Sequence, residues 1–529
     1  MAEPSWRTWT EHASTRKVYV DASRPDDSGD GLSAGTAKKT VAAGLALIRN
    51  GFPDWLLFKC GEVWTGETLA IADDHVGLDA SNPIIISSYG SGARPRFDTG
   101  RSTFCDCSSS NIVFDDLELY AHERDPNNGA FAGWPQATSG SPFGIVLRGD
   151  GPTNNVVIQN CRVRYFDIGI AALKNNATAR GVEDCVIRGN VVEDSWADTT
   201  VGNHTQGFYL ENMVRGVVED NFADRCGWNP DDGTQTYGEA TIYNHGFYIL
   251  DTFNSTYRRN WSSRASSFGF KLASNWLKYS PDARWEDCDF VDNLALECPN
   301  AFSVGGHGTV YAYLRCTFTH NVATRCGSSR NGAFAYQRFI TSASGADDFL
   351  YDRNLAVDDD DSDSAFDARG FIEAGWGDSA PGVYRNVRVT NNVAFDHPIG
   401  SSAGPTWGWN DDQQTGDVAN ITCNGGIVVT GNEDNLAGGG YPDSSRPALS
   451  YSTFIGEDGT LAALYAIVRA QRRGAWDDNV TAAALNSYLR GGFGISDPDS
   501  SPAPPPAPTE RSYVLTGGSL VLGVKTGGA

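Results

Sequence analysis

Short segments of alternating apolar and variable residues recur along the chain. The clearest are residues 207–210 (Gly-Phe-Tyr-Leu), 246–249 (Gly-Phe-Tyr-Ile) and 269–272 (Gly-Phe-Lys-Leu). A period of two residues is typical of a short β-strand with one buried face. The variable position is Tyr209, then Tyr248, then Lys271, and the alternation predicts that all three side chains point outward.

A second segment recurs out of step with the first and ends in asparagine. The asparagines are Asn160, Asn190, Asn221, Asn260, Asn321, Asn354 and Asn392. From 160 to 260 and from 321 to 392 the steps are between 30 and 39 residues, a period typical of solenoids and propellers. The β-branched, aromatic and glycine-rich units disfavour helical repeats, and the uneven spacing disfavours propeller blades. The pattern predicts a parallel β-helix with asparagine in its turns.

The amino-terminal region resembles a known family. Residues 18–23 (Val-Tyr-Val-Asp-Ala-Ser), 28–33 (Ser-Gly-Asp-Gly-Leu-Ser) and 40–50 are similar to the start of right-handed parallel β-helix proteins of the pectate-lyase-like superfamily. The resemblance implies a first strand, a turn, a capping helix and a right-handed coil over residues 17–440. The superfamily includes lyases, hydrolases, epimerases and phage tailspikes, so it implies a fold rather than one activity. The Trp-Ile-Asp-His and Arg-x-Pro-x-x-Arg segments of pectate lyases are missing from the sequence, and no catalytic residue is carried over.

We therefore expect an all-β chain with small appendages. Residues 1–16 form an arm whose Trp6 and Trp9 are suited to docking, and residues 17–440 form the β-helix, with an amino-terminal capping helix over 40–50. Residues 441–495 contain two helical patterns, at 461–472 and 481–489, and 496–511 are a proline-rich linker. Residues 512–529 read as a small β hairpin, which makes most sense docked on another chain.

Composition limits the classes of molecule that the chain is expected to bind. The net charge of -24 opposes binding to nucleic acid, and also to acidic glycans unless calcium or a local basic patch intervenes. Eleven cysteines without zinc-ligand spacing indicate buried core thiols. Residues 1–15 carry no secretory signal pattern, and no apolar run approaches membrane-spanning length.

The outward column is the candidate active site. The candidate catalytic residues are Lys271, Tyr248, His245, Tyr209, Glu211 and Asp251, and the candidate substrate-binding residues are His204, Trp228, Trp276 and His307. One mechanism is elimination on a uronic acid polymer, with Lys271, Tyr248 or His245 as the base. The other is hydrolysis by two carboxylates, for which Glu193, Asp194 and Asp198 are further candidates. No metal ligands are assigned and no cofactor is required, although Ca²⁺ would suit the aspartates at 26–30 and 358–363; the first run lacks the glutamate of an EF-hand loop.

Three functions remain open. The first is a phage particle protein, tailspike- or fibre-like, that binds and depolymerises a surface polysaccharide; it would be located in the virion, form a homotrimer and contact other virion proteins through its arm and tail. The second is a polysaccharide lyase or glycoside hydrolase exported by a bacterium to the periplasm or medium. The third is a structural or adhesive solenoid without catalysis.

Overall fold

The coils are seen in a computed structural model that describes most of the chain up to residue 395 and parts of the remainder. The described residues are 4–72, 74–134, 141–149, 153–174, 181–202, 204–234, 236–274, 284–305, 312–327, 340–342, 346–357, 372–374, 383–395, 422–423, 427–430, 433–435, 460–498, 514–516 and 519–521.

Three long parallel sheets run through the molecule. Successive turns add strands to sheets A, B and C in that order, and in several turns the contribution to sheet A is divided into two short strands. In the described residues, sheet A has 17 strands, sheet B has 12 and sheet C has 10. Pairing is between successive coils, as in Tyr209↔Tyr248 and Tyr248↔Lys271. The predicted all-β parallel β-helix is confirmed.

The strands of each sheet have the following bounds. Sheet A contains Lys17–Val20, Trp55–Lys59, Ile84–Tyr89, Ile112–Asp115, Val156–Gln159, Val186–Arg188, Val217–Glu219, Thr252–Phe253, Thr256–Arg258, Trp285–Glu286, Asp289–Val291, Tyr313–Thr319, Ala346–Asp352, Val383–Arg385, Val387–Thr390, Thr422–Cys423 and Ile427–Thr430. Sheet B contains Val63–Thr65, Arg96–Asp98, Glu118–Tyr120, Arg162–Arg164, Val191–Glu193, Phe222–Asp224, Trp261–Ser263, Leu294–Leu296, Val322–Thr324, Leu355–Val357, Val393–Phe395 and Glu433–Asn435. Sheet C contains Leu69–Ile71, Cys105–Cys107, Phe143–Arg148, Ile168–Leu173, Gln206–Glu211, His245–Leu250, Phe268–Ala273, Asn300–Val304, Ile340–Ser342 and Ile372–Ala374.

A buried asparagine ladder joins the turns between sheets A and B. The side-chain Oδ1 of Asn221 accepts from the main-chain N–H and the Nδ2 of Asn190, and Asn260 does the same for Asn221. The ladder continues through Asn293, Asn321, Asn354 and Asn392. Each rung thus satisfies main-chain groups that have no water to bond.

Two details of the predicted asparagine repeat are corrected. Asn293 belongs to the ladder although the sequence analysis passed over it. Asn160 does not, because Cys161 occupies the rung next to Asn190. Asn160 has a φ of 55° and its side chain bonds Asp116 and Arg94 instead.

Glycine at the second position of five sheet C strands fits the corner between sheets B and C; these are Gly144, Gly169, Gly207, Gly246 and Gly269. A Cβ on Gly246 would lie 2.0 Å from Ser262 Oγ, and one on Gly207 would lie 2.9 Å from Cys226 Sγ. The next residues, Phe208 and Phe247, stack in the core with ring centroids 4.4 Å apart. Because glycine has no side chain at the corner, both it and the phenylalanine that follows it can face the core before the alternation of inward and outward residues begins.

The helix predicted over 40–50 is shorter than expected. Helix α1, Val41–Leu45, is capped by Thr40, whose side chain accepts from Ala43 N–H. Beyond it, Leu47 and Ile48 bond carbonyls three residues back, so the chain continues as turns to residue 48. Val41 and Leu45 are nevertheless buried in the core at the first coil.

The carboxy-terminal helical segment covers the outer face of sheet B. Helices α2, Leu461–Ala470, and α3, Ala482–Gly492, occur where the sequence predicts them. Their apolar residues join outward side chains of sheet B in one cluster that includes Phe222, Trp261 and Leu464. Arg469 pairs with Glu193, Asp194 and Asp224 at 3.1, 3.0 and 2.5 Å.

The amino-terminal arm lies along its own chain. Trp9 packs against outward apolar residues of sheet A, including Val157 and Val186. Trp6 sits over Gly189 and contacts Trp476 edge to face at 5.4 Å. Both tryptophans that were expected to await a docking partner therefore have one within the chain.

Several smaller features complete the described part of the chain. Ten cysteines are buried as thiols, consistent with the predicted core role. The tail strands Val514–Thr516 and Ser519–Val521 pair antiparallel. Three 3₁₀ turns occur at Ala34–Thr36, His122–Arg124 and Thr199–Val201. No helix among the residues described is both long and apolar enough to cross a bilayer.

Candidate functional site on sheet C

The three outward residues named from the sequence occupy one column of sheet C. Tyr209 pairs with Tyr248 and Tyr248 with Lys271, and the next strand adds Ser303. The rings of Tyr209 and Tyr248 stack at 5.2 Å with an interplanar angle of 17°. Neighbouring parallel strands lie about 4.8 Å apart, so the column brings two phenols and an ammonium group onto one face.

Lys271 is held by a residue that the sequence analysis did not single out. Its Nζ donates a hydrogen bond to Ser303 Oγ at 2.8 Å, and the same ammonium lies 5.3 Å from the ring centroid of Phe268. Ser303 follows Lys271 in register, so the segment Ala-Phe-Ser-Val at 301–304 was the available signal. The two contacts fix the direction of the lysine side chain along the column.

Tyr248 is surrounded by negative charge. Burial, together with the carboxylates of Asp251 and Glu211, raises the pKa of Tyr248 to about 12. The phenol is therefore protonated at neutral pH, which makes it a hydrogen-bond donor rather than a base.

The two candidate carboxylates come from adjacent coils. Glu211 is in register with Leu250, and Asp251 is the next residue. Glu211 is 3% exposed and accepts a hydrogen bond from the main-chain N–H of Lys174 at 3.3 Å, whereas Asp251 is 0% exposed and has a φ of 41°. Both acids are therefore buried at the carboxyl ends of the two strands that carry Tyr209 and Tyr248.

His245 lies at the start of the neighbouring outward column. Its ring is 5.4 Å from the ring of Tyr248 and 5.6 Å from that of Phe268. Burial, followed by the charges of Lys271 and His204, lowers the pKa of His245 well below its usual value. The imidazole is therefore neutral at pH 7.

The candidate substrate-binding residues are dispersed. His204 is exposed and lies 4.9 Å from the ring of Tyr243. Trp228 is half-buried, and its Nε1 donates to the carbonyl of Arg264 at 2.8 Å, which ties it to the turn after Trp261–Ser263. Trp276 and His307 lie outside the described residues.

The further carboxylates named for hydrolysis are engaged elsewhere. Glu193 and Asp194 pair with Arg469 under the carboxy-terminal segment. Asp198 caps the 3₁₀ turn Thr199–Val201 by accepting from Thr200 N–H. Their partners give these three side chains structural roles.

The aspartates considered for calcium hold a turn. Asp26 accepts from Ser28 N–H, and Asp30 accepts from Leu32 N–H and from the Thr36 hydroxyl. Residues 358–363 lie outside the described residues. Among the residues that are described, no group of three or more His, Cys, Asp and Glu is arranged to hold a metal ion.

Comparisons with known proteins address the fold. No family model and no curated protein matches the chain. Among solved structures, a GH136 lacto-N-biosidase from Eubacterium ramulus is 12% identical over 79% of this chain and 68% of that one, with a TM-score of 0.45. Pectate lyase Pel9A is 13% identical over 87% of both chains, with a TM-score of 0.43. The Dettilon tailspike protein is 12% identical over 79% of this chain and 70% of that one, with a TM-score of 0.44.

Proposed function

We propose that this protein is a glycan-depolymerising β-helix whose site is the outer face of sheet C, and that it hydrolyses glycosidic bonds. The observation that carries the proposal is the column of Tyr209, Tyr248 and Lys271, with the carboxylates of Glu211 and Asp251 close enough to raise the pKa of Tyr248. Aromatic faces stack on sugar rings, while carboxylates and hydroxyls bind sugar hydroxyls and move protons.

Local charge favours hydrolysis over elimination. Elimination requires a base and a positive group that neutralises the uronate carboxylate. Around Tyr248, however, Glu211 and Asp251 are set against Lys271, and the whole chain carries a net charge of -24. A uronate polymer would be repelled by this surface, whereas a neutral glycan would not.

The residues divide into roles. Glu211, the more accessible acid, donates a proton to the glycosidic oxygen as its bond to the anomeric carbon breaks, and Asp251 takes a proton from the water that attacks this carbon. Because Asp251 is fully buried, a sugar reaches it only after neighbouring side chains move aside. The protonated Tyr248 donates to a sugar oxygen, and Lys271 binds hydroxyl groups beside it.

The test is turnover of polysaccharides by the purified chain and its variants. Xylan, dextran and polygalacturonate are incubated with the wild type, and reducing ends and ultraviolet absorbance are followed. Glu211→Gln is expected to lower turnover by about 10²–10⁴-fold, the usual contribution of an acid–base group. The double variant Lys271→Ala with Tyr248→Phe is also expected to lower turnover, because it removes two groups that hold the sugar. The circular dichroism spectrum should stay unchanged.

Matched controls come from sheet A. Tyr89→Phe removes a hydroxyl from another tyrosine pair, in which the rings of Tyr19 and Tyr89 meet edge to face at 5.1 Å, and Lys59→Ala removes another half-exposed lysine. Both should retain turnover. Full activity of the Lys271–Tyr248 double variant would remove the column from the mechanism. Cleavage of polygalacturonate with an ultraviolet-absorbing unsaturated product would establish elimination instead.

We further propose that the chain is carried on a phage particle as a trimer. The support is the short hairpin of the tail after a proline-rich segment, since a two-stranded hairpin is at best marginally stable alone. Light scattering of the full chain measures its mass. A trimer supports a virion location, and a monomer supports an enzyme that acts free outside the cell.

A further inference from the structure

The most exposed large apolar side chain among the described residues lies next to the proposed site. Tyr243 is 62% exposed and precedes His245, the first residue of its sheet C strand, by two positions. Phe52, by comparison, is 38% exposed and lies under the guanidinium of Arg49 at 4.0 Å. An exposed aromatic ring beside polar groups is typical of a surface that binds a ligand.

The main chain that carries Tyr243 is held from both sides by buried amides. Gln206, 3% exposed, donates from Nε2 to the carbonyl of Tyr243 at 2.8 Å, and its Oε1 accepts from His245 N–H at 2.8 Å. Asn244, 0% exposed, accepts from Thr205 N–H and donates to the carbonyl of Gly227. The exposed ring is therefore mounted on a fixed backbone.

His204 completes the arrangement. Its exposed ring lies 4.9 Å from that of Tyr243 at an angle of 46°, and it belongs to the segment that leads into the preceding sheet C strand. Its influence on the pKa of His245 shows that it lies near that ring. Two aromatic rings from successive coils thus form one surface at the edge of the column.

We propose that Tyr243 and His204 form a sugar-stacking subsite for a pyranose ring of a neutral glycan, with Gln206 as its positioning residue. The inference rests on the proposed function, because it extends the same site. A rigidly held ring loses little conformational freedom when a sugar packs against it, so more of the contact energy appears as affinity. The preference for a neutral glycan comes from the proposed function, because Glu211 and Asp251 lie at the other ends of the same two strands.

The experiment separates binding from turnover. The full chain and its variants are run by affinity electrophoresis through gels containing xylan, dextran or polygalacturonate, and KM and kcat are measured on any polysaccharide that is cut. Tyr243→Ala should weaken binding and raise KM about tenfold, the scale expected for losing one stacked ring, while kcat changes less than about twofold. Tyr243→Phe keeps the ring and should behave like the wild type.

Gln206 is tested by the same comparison of the effect on KM with the effect on kcat. Gln206→Leu removes both amide contacts and should raise KM in the same direction as Tyr243→Ala. Gln206→Glu keeps the acceptor for His245 N–H but loses the donor to the carbonyl of Tyr243, so it should raise KM as well. Trp9→Ala, on the outer face of sheet A, is the control for loss of an aromatic ring and should leave KM unchanged.

The outcomes distinguish the two proposals. If a polysaccharide is bound or cut and Tyr243→Ala leaves both affinity and KM unchanged, the subsite is refuted while the proposed function stands. If Tyr243→Ala lowers kcat as strongly as it raises KM, the ring does not act by stacking. If no polysaccharide is bound or cut by the wild type, the proposed function itself fails, and the subsite fails with it.

Discussion

Replacing one rung of the asparagine ladder should destabilise the coil far more than replacing an exposed asparagine. Asn260 is 1% exposed and its side chain makes four hydrogen bonds. In Asn260→Ala, Asn221 N–H and the carbonyl of Val218 lose their side-chain partner, whereas Asn221 Nδ2 still bonds Ile187.

The magnitude follows from those two main-chain groups. Each buried group left without a hydrogen bond costs about 1–3 kcal/mol, so the free energy of unfolding should fall by about 4 kcal/mol. Asn127, which is exposed and bonds Asp231 at 3.1 Å, provides the control. Asn127→Ala should change stability by about 0.5 kcal/mol or less, as is usual for surface positions.

The assay is equilibrium unfolding in urea, followed by both tryptophan fluorescence and circular dichroism. Coincidence of the two transitions is required because coils can unfold stepwise. Hydrogen exchange adds a local readout, since Asn221 N–H should lose protection in Asn260→Ala. A loss below about 1 kcal/mol, or one equal to that of Asn127→Ala, would refute the view that the ladder holds the turns.

Three further variants test other contacts. Arg469→Met leaves the buried Asp224 carboxylate with one partner fewer and should lower the free energy of unfolding by about 3–5 kcal/mol. Limited proteolysis should then release the carboxy-terminal segment earlier. Unchanged proteolysis would contradict the view that Arg469 holds this segment on the coil. Gly246→Ala meets Ser262 Oγ at 2.0 Å and should cost about 1–3 kcal/mol, part of which Ser262→Ala restores, and urea midpoints measure both. Burial, with the nearby positive charge of an arginine, lowers the pKa of His320 to about 4, while an unfolded histidine titrates near 6.5. The unfolded state therefore binds more protons between those values, so stability falls as pH drops from about 6.5 to 4. His320→Asn should make the free energy of unfolding depend less on pH over this range. An unchanged pH dependence would show that His320 is not its source.

Much of the coil was predictable because its signals are local. The alternation around Tyr209, Tyr248 and Lys271 is confirmed by the register of sheet C. The ladder was predicted less well, since Asn160 lies one residue before the rung position and only the pairing of Cys161 with Asn190 shows the offset. A repeat read from sequence fixes the period, but a one-residue shift changes which side chain enters the turn.

The packing of the two chain ends was not predictable. Arg469 and Arg490 look like ordinary basic residues in the last turns of helices, yet they pair with carboxylates of the coil. Sheet B strands are three residues long, too short to reveal which outward side chains are covered. At the site, Ser303 had a signal in the repeat, whereas Tyr243 lies in an insertion without one. Contacts between segments that are far apart in the chain leave no local pattern in the sequence from which they could be predicted.

The covering of sheet B by α2 and α3 has a consequence for synthesis on the ribosome. Each coil can stack on the previous one as it emerges, but the apolar strip that includes Phe222 and Trp261 lacks its cover until the carboxy-terminal segment has been made. At about 5–20 residues per second, the roughly 300 residues between Val191–Glu193 and the end of α3 take about 15–60 s to translate. During that interval the nascent chain exposes this apolar strip to other nascent chains on the same polysome. Truncation before residue 460 would make that exposure permanent and should favour aggregation of the truncated chain.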